Sequence, residues 1–284
     1  MTSADGGGAQ RVCRVWWARS TDVGPHLDAV LTGADLERRA RLAWRADRDR
    51  LTVACALARV VLGRLVGTPP RDIRIDRTCR YCDGPHGKPW LPSTPQVQFS
   101  LAHAGDCVVV AVVCDCPVGV DVEEAGRLTT AEVDRMASLV LAAPERAVLA
   151  RRPDAERPSV FTSYWVRKEA VLKATGEGLS APLDELVVSP PAAGPEVLGW
   201  APAGGRPSLS LHPLHPPSGY AAALAVGTHL PVLVVERDGG PLLRRCGARA
   251  DPTRQRSRVT RTSTSSVDPS PPPATTPLTG ETSP

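Results

Sequence analysis

The sequence predicts a mixed α/β (α+β) fold built from two similar halves. Apolar residues make up 42% of the 284 positions, enough to fill a sizeable core. Stretches with helical spacing alternate with short runs in which apolar and polar residues alternate. The order strand, helices, strands also occurs twice along the chain, without residue-level identity between the copies.

Residues 11–17 (Arg-Val-Cys-Arg-Val-Trp-Trp) read as a first strand, and 34–43 as a short helix. A longer helix follows over 47–66, where Leu51, Ala54, Ala58, Val61 and Leu65 recur at helical spacing. Gly67 and the Pro69-Pro70 pair stop it. A loop then carries Cys79, Cys82 and His86-Gly87-Lys88-Pro89. A three-stranded meander is expected next. Residues 97–103 alternate, 107–113 are nearly all apolar as a central strand should be, and 118–123 alternate again after a turn at Pro117. Residues 129–150 look helical with a break near Pro144, and a further helix over 160–175 is stopped by Gly176. Short strands around Leu186, Leu209, Ala223 and Leu233 complete the pattern. The halves fall at 11–116 and 117–238. Residues 239–284, rich in Pro, Ser and Thr after Asp251 and without aromatics there, read as a disordered tail, because such a segment cannot offset its ordering entropy by burial.

A net charge of only +4 argues against a dedicated nucleic-acid binder. Seven arginines nevertheless crowd one segment (Arg38, Arg39, Arg41, Arg45, Arg48, Arg50 and Arg59), a patch suited to an anionic small molecule or an acidic protein. No apolar run approaches the roughly 20 residues of a membrane span, and residues 1–10 lack the apolar core of a signal peptide. A cytoplasmic protein with free thiols is expected. Cys79 and Cys82 form a CxxC near His86, and Cys114 and Cys116 a CxC, but the spacing matches no strong zinc pattern and ordinary thiols are the expectation.

Chemistry concentrates in two segments. On a strand over 118–123, side chains alternate faces. Val118, Val120 and Val122 point one way; Gly119, Asp121 and Glu123 point the other, so two carboxylates share a face. Alone this is an acidic edge. On the helix over 160–175, Phe161, Tyr164, Trp165, Val171 and Leu172 form one apolar arc. Glu169 and Lys173 lie at its edge four residues apart, as an ordinary surface ion pair would. Lys168 falls inside the arc, where it either snorkels to water or faces a buried anion. If Asp121, Glu123 and Glu169 converge, each pair about 5 Å apart repels by about 3 kcal/mol at an effective dielectric near 20. Three pairs cost on the order of 10 kcal/mol, comparable to the stability of a domain. A hard cation such as Mg²⁺, which takes carboxylates together with substrate phosphates, relieves this.

His86-Gly87-Lys88-Pro89, Phe99-Ser100-Leu101-Ala102-His103, Gly119-Val120-Asp121-Val122-Glu123 and Trp165-x-x-Lys168-Glu169-Ala170-x-x-Lys173 occur in this order and at suitable spacing. Together they resemble the signature of the surfactin-type 4′-phosphopantetheinyl transferases. The helix from Leu42 through Arg59 and the segment Gly176-Glu177-Gly178-Leu179-Ser180-Ala181-Pro182-Leu183 fit the same family, and the resemblance spans residues 11–235. It implies two pseudo-symmetric α/β halves with the active site between them. It also implies Mg²⁺-dependent transfer of 4′-phosphopantetheine from coenzyme A to a serine of an apo acyl or peptidyl carrier protein, releasing adenosine 3′,5′-bisphosphate. By the same resemblance, Asp121, Glu123 and Glu169 hold the metal, Glu169 is the general base, and Lys173 meets the diphosphate or leaving group. Arg50, Lys88 and His103 hold the coenzyme A nucleotide, chiefly its 3′-phosphate. Lys168 is grouped with these cofactor contacts and is the least explained of them. Ala102 stands where the family often has serine, which puts one hydroxyl contact in doubt. A monomer without nucleic-acid or membrane partners is expected. The competing readings are a Mg²⁺-dependent nuclease or phosphodiesterase, and an inactive carrier-protein-binding module.

Overall fold

The computed structural model describes residues 9–178, 181–200 and 208–248. In chain order the elements are β1 (Arg11–Arg19), α1 (Gly33–Ala40), α2 (Arg45–Val66), β2 (Val97–Ala104), β3 (Cys107–Cys114), β4 (Val118–Glu124), α3 (Thr130–Val140), α4 (Ala143–Ala150), α5 (Arg157–Thr175), β5 (Val187–Val188), β6 (Val197–Gly199), β7 (Ser210–Pro213), β8 (Tyr220–Val226), β9 (Val232–Asp238) and α6 (Gly240–Ala248). Two sheets carry the architecture, one in the order β2-β3-β1-β9 and one in the order β4-β8-β7.

The internal repeat expected from the sequence is visible in the topology. The unit β1-α2-β2-β3 closes with strand order β2-β3-β1, and the unit β4-α5-β7-β8 closes with β7-β8-β4. In each unit the last two strands form an antiparallel pair, and the last strand also pairs antiparallel with the first. Both long helices end as their sequences require. Gly67 (φ 72°) and Gly176 (φ 77°) take the left-handed cap conformation, and their amides donate back to the Gly63 and Leu172 carbonyls. Pro158 in the first turn of α5 supplies a preset φ where no helical N–H is needed.

Strand periodicity explains how the units stack. Val108, Val110 and Val112 of β3 pack with Val53, Leu57 and Val61 of α2. The alternate residues Val109, Ala111 and Val113 pack instead with Val118, Val120 and Val122 of β4. The far face of the second sheet, including Ala223 and Ala225, packs with Tyr164, Val171 and Leu172 of α5. The layers therefore run α2, first sheet, second sheet, α5. β3 is apolar throughout because both its faces are covered.

Four expectations change. Residues 118–124 do not extend a meander with β2 and β3; β4 begins the second sheet by pairing with β8. The turn through Asp115 (φ 61°) and Pro117 takes the chain out of the first sheet, since proline has no amide for its ladder. β9, assigned by sequence to the second half, pairs parallel with β1 in the first sheet. The expected tail starts too early, because residues 240–248 form α6, with Leu243 fully buried and Leu242 nearly so against the α2 core. Residues 249–284 of that segment lie outside the described residues, as do Leu179 and Ser180 of the downstream motif. The arginine cluster is not one open patch either. Arg59 is buried on Asp35 (2.6 Å), Arg39 pairs with Asp28, and Arg48 donates to the carbonyls of Leu42 and Ala43.

Candidate active site

Gly119 sets the distance between β4 and α5. A Cβ there would lie 2.0 Å from the Ala170 carbonyl oxygen and 2.4 Å from the Ala174 amide, both helix backbone atoms. Only glycine lets α5 approach this closely, and that approach brings the carboxylates of β4 beside the Glu169 turn. The pairing of faces read from the sequence holds: Val118, Val120 and Val122 enter the inter-sheet core, while Gly119 and Asp121 meet α5.

Asp121 is 4% exposed, and its Oδ1 accepts a hydrogen bond from Lys173 Nζ at 2.6 Å. The other oxygen, Oδ2, is buried without a partner, and so is Glu169 Oε1. Burial raises the Asp121 carboxyl, against the pull of Lys173. Burial, then the neighbouring Asp121 charge, raises Glu169. Burial, then Asp121, pushes Glu123 up to about 7, with Glu169 adding to the effect. The three acids thus feel one another. Lys173 is not the simple surface partner of Glu169 expected from spacing, but crosses to Asp121.

Two orphaned, desolvated carboxylate oxygens in a mutually repelling set match the donor chemistry of a hard divalent cation. The acids do not form a closed cage by themselves. Among the described residues, the group of three ligating side chains with atoms within 4.8 Å of one another is Cys79, Cys82 and His86.

A cavity of about 1150 Å³ opens beside this set. Its wall includes Lys173 and Leu172 of α5, Ser100 and Leu101 of β2, and Lys88. Lys88 Nζ donates to the Ala174 carbonyl at 2.6 Å, one of the free carbonyls at the end of α5. Burial, then the nearby Arg80, brings the Lys88 ammonium down to about 8. Ser100, given no role of its own by the sequence, ties the sheets together by accepting the Val120 amide (3.1 Å) and lies in the cavity wall. Ala102, two residues along β2, is buried in the inter-sheet core.

Arg50 and His103 form a neighbouring group. Arg50 donates to the Gly105 carbonyl at 2.7 Å and pairs with Asp47, and its Nε is buried without a partner. Desolvation, then the Arg50 cation, lowers the His103 imidazole, and Lys173 contributes in the same sense. Lys173 therefore links the carboxylates, the cavity and the Arg50–His103 group.

Lys168 is the exception among the expected contacts. It is fully buried, ion-paired with Glu145 at 2.6 Å, and donates to the carbonyls of Val140 and Leu183 at 2.8 Å each. Its three donors are all used inside the protein, so it does not reach a cofactor. The buried anion that its place in the apolar arc left open is Glu145, whose carboxylate also accepts the Ala142 and Val188 amides. Sequence reading missed Glu145 because it lies 23 positions upstream in a different helix.

Comparison with known proteins identifies the family. The sequence pattern of the 4′-phosphopantetheinyl transferase superfamily matches residues 117–225. The chain is 30% identical over 203 residues to the 4′-phosphopantetheinyl transferase HetI of Nostoc sp., covering 70% of this chain and 80% of that protein. It is 33% identical over 147 residues to 4′-phosphopantetheinyl transferase psf-1 of Bacillus pumilus, 51% of this chain and 58% of that one. It is 28% identical over 152 residues to 4′-phosphopantetheinyl transferase Sfp of Bacillus subtilis, 54% and 63% of the respective chains. The repeated β-α-β-β unit with acids on its second copy, and an identity of 30% that reaches across four fifths of the Nostoc protein, make this chain a member of the 4′-phosphopantetheinyl transferase family.

Proposed function

We propose that this transferase moves 4′-phosphopantetheine from coenzyme A to a serine of an apo acyl or peptidyl carrier protein, with Mg²⁺ as its metal and adenosine 3′,5′-bisphosphate as the released product. The observation that carries the reading is the pair of orphaned oxygens, Asp121 Oδ2 and Glu169 Oε1, buried beside the Lys173 ammonium at the edge of the cavity. Asp121, Glu123 and Glu169 would hold the cation, which when bound offsets diphosphate charge and makes the β-phosphorus more electrophilic.

The chain's own groups do the rest. Glu169 takes the proton from the carrier serine. Burial, then the Asp121 charge, raises its carboxyl above the ordinary carboxylate range, which makes it a stronger base. The serine oxygen then forms its bond to the β-phosphorus as the bond from that phosphorus to the bridging oxygen breaks. The nucleotide leaves with the electron pair on its α-phosphate, where the Lys173 ammonium meets the new charge. Lys88, Arg50 and His103 hold the nucleotide end. The unpartnered Arg50 Nε supports that role. A phosphate against Lys88 would restore the charge that burial disfavours. Positioning by these groups supplies much of the rate.

Both halves contribute to the site within one chain, which supports a monomer. Among the described residues no helix is long and apolar enough to cross a membrane. Cytoplasmic location and the absence of nucleic-acid partners belong to the same proposal.

The test is transfer itself. The protein is incubated with coenzyme A, Mg²⁺ and a panel of apo carrier proteins, and each carrier is weighed by intact-mass spectrometry. A gain of one phosphopantetheine on the carrier serine, lost with Glu169→Gln, is expected. No gain on any carrier, with DNA cleaved in a parallel arm, would overturn the reading in favour of a nuclease.

A further inference from the structure

The loop between the Asp76–Trp90 bridge partners has no helix or ladder strand of its own, yet its turn is tightly built. The Cys79 amide donates to the Gly84 carbonyl (2.8 Å), the Asp83 amide to the Cys79 carbonyl (2.9 Å), and the Gly87 amide to the Arg77 carbonyl (2.7 Å). Asp83 takes a left-handed φ of 57° to close the turn. Two glycines make it possible. A Cβ at Gly87 would sit 2.5 Å from the Thr78 carbonyl oxygen, and one at Gly84 would sit 2.9 Å from the His86 ring and 3.3 Å from Cys82 Sγ.

The turn gathers three ligand atoms. Cys79, Cys82 and His86 each offer one, all within 4.8 Å of one another. Cys82 Sγ lies 2.9 Å from His86 Nε2.

We infer that Cys79, Cys82 and His86 bind one zinc ion, with the fourth position open to the cavity, and that this ion fixes the loop that presents Lys88. Zinc bonds of about 2.3 Å to sulfur and 2.0–2.1 Å to nitrogen at tetrahedral angles put the two ligand atoms about 3.6 Å apart. The 2.9 Å separation of Cys82 and His86 needs to widen only slightly to reach that. Two thiolates balance the charge of the dication, so the site is neutral when filled. All three ligands line the same cavity as Lys88, two residues beyond His86. Spacing alone shows no strong zinc pattern, because the other close cysteine pair, Cys114 and Cys116, does not belong to this group; a site closed by three side chains and one cavity-side ligand needs no second pair.

The alternative fate of a CxxC is a disulfide couple. Such couples are commonly activated at a helix N-terminus. Here the pair sits in a turn, and a couple would give no reason for His86 to lie on Cys82 or for Gly84 to make room for it.

The experiment uses the full-length protein, purified reduced and stripped with a chelator, then titrated with Co²⁺ and Zn²⁺. With excess Mg²⁺ present to occupy the acidic site, one equivalent per chain is expected, with tetrahedral cobalt bands including thiolate-to-metal charge transfer, displaced by zinc. Cys82→Ser and His86→Ala should lose the bands and the bound equivalent, whereas Cys246→Ser and Asp121→Ala should keep both. Cys82 is exposed, so its substitution leaves the fold intact, as circular dichroism verifies. Zinc should also slow hydrogen exchange in residues 76–90. The inference is overturned by the absence of thiolate-to-cobalt bands, by equal binding in Cys82→Ser, by unchanged exchange in the loop, or by a Cys79–Cys82 disulfide in the protein as purified without reductant. None of these readouts needs coenzyme A or a carrier, so failure here and failure of the transfer assay are separate results.

Discussion

Lys168→Met isolates the difference between a lysine that supports the fold and one that touches a substrate. In the structure Lys168 and Glu145 are 0% and 2% exposed, their charges are 2.6 Å apart, and the lysine also bonds two backbone carbonyls. Methionine fills a similar volume but leaves the Glu145 carboxylate buried with only two amide partners. Removing one partner of a buried pair costs about 3–5 kcal/mol. Against a total stability of about 5–15 kcal/mol this is a large fraction. With a urea dependence near 3 kcal/mol per molar, the unfolding midpoint should fall by roughly 1–1.7 M. Glu145→Gln should also destabilise. The double variant should lose less than the sum of the two, by roughly 0.5–3 kcal/mol, as expected of residues in contact. The folded fraction of Lys168→Met should keep kcat and the KM for coenzyme A within a few-fold. Wild-type urea stability combined with lost turnover, or a raised KM at full stability, would refute the assignment and return Lys168 to the cofactor contacts.

The other predictions follow from the same contacts. Gly119→Ala drives a Cβ into the α5 backbone, which should cost about 1–3 kcal/mol by overpacking. By displacing Glu169 and Lys173 about an ångström it should lower kcat by about 100-fold; a variant with native kcat would show that the β4–α5 spacing is not what positions the acids. Glu123 is held up at about 7 and Glu169 is raised as well, so in metal-free protein their protonated forms stabilise the fold. That contribution is complete below the ordinary carboxylate range near 4.5 and is lost as pH rises through about 7. Melting temperature without metal should therefore fall between pH 5 and 8, and Mg²⁺ should restore it most at the alkaline end; the opposite slope in calorimetry would contradict the coupling of the acids. Ending the chain after Asp238 removes Leu242 and Leu243 from the α2 core and should cost about 3–6 kcal/mol relative to ending it after Ala248; equal melting temperatures would show that α6 is dispensable.

What could be read from the sequence was local. Gly67 and Gly176 stop their helices because the left-handed cap is a single-residue property, visible in one letter. The shared face of Gly119, Asp121 and Glu123 follows from strand alternation alone. What could not be read depended on distant partners. Whether residues 118–124 join β3 or leave it is decided by β8, about a hundred positions downstream. β9 reads as a strand of the second half, and nothing near it says that its partner is β1. Glu145 looks like an ordinary surface residue of a helix, and Lys168 is an unexplained lysine in an apolar arc, until α4 and α5 are packed together. The arginines around Arg50 look like one electropositive patch, offset only by their neighbours Asp47 and Asp49, until Asp28 and Asp35 are seen beside them.

The repeat explains why the chemistry is lopsided. In both units a long helix covers a sheet, but the two buried layers differ. Under α2 the layer is dry: Val53, Leu57 and Val61 meet the valines of β3, and buried Arg59 is neutralised by Asp35. Under α5 the corresponding layer holds Asp121, with Glu123 and Glu169 at its edge, and the buried Lys168–Glu145 pair joins α5 to α4. Buried charge stabilises a fold little or not at all, even when paired. A single unit of the second kind would be a poor core by itself. Joined through the inter-sheet valines to a dry unit, it can keep unpaired carboxylate oxygens that a smaller core could not tolerate. The join also brings Lys88, Ser100, His103 and Arg50 of the first unit to the open edge of the second. One copy therefore supplies stability and cationic groups and the other supplies the acids, which is why the site lies where β2 and the Lys88 loop meet α5.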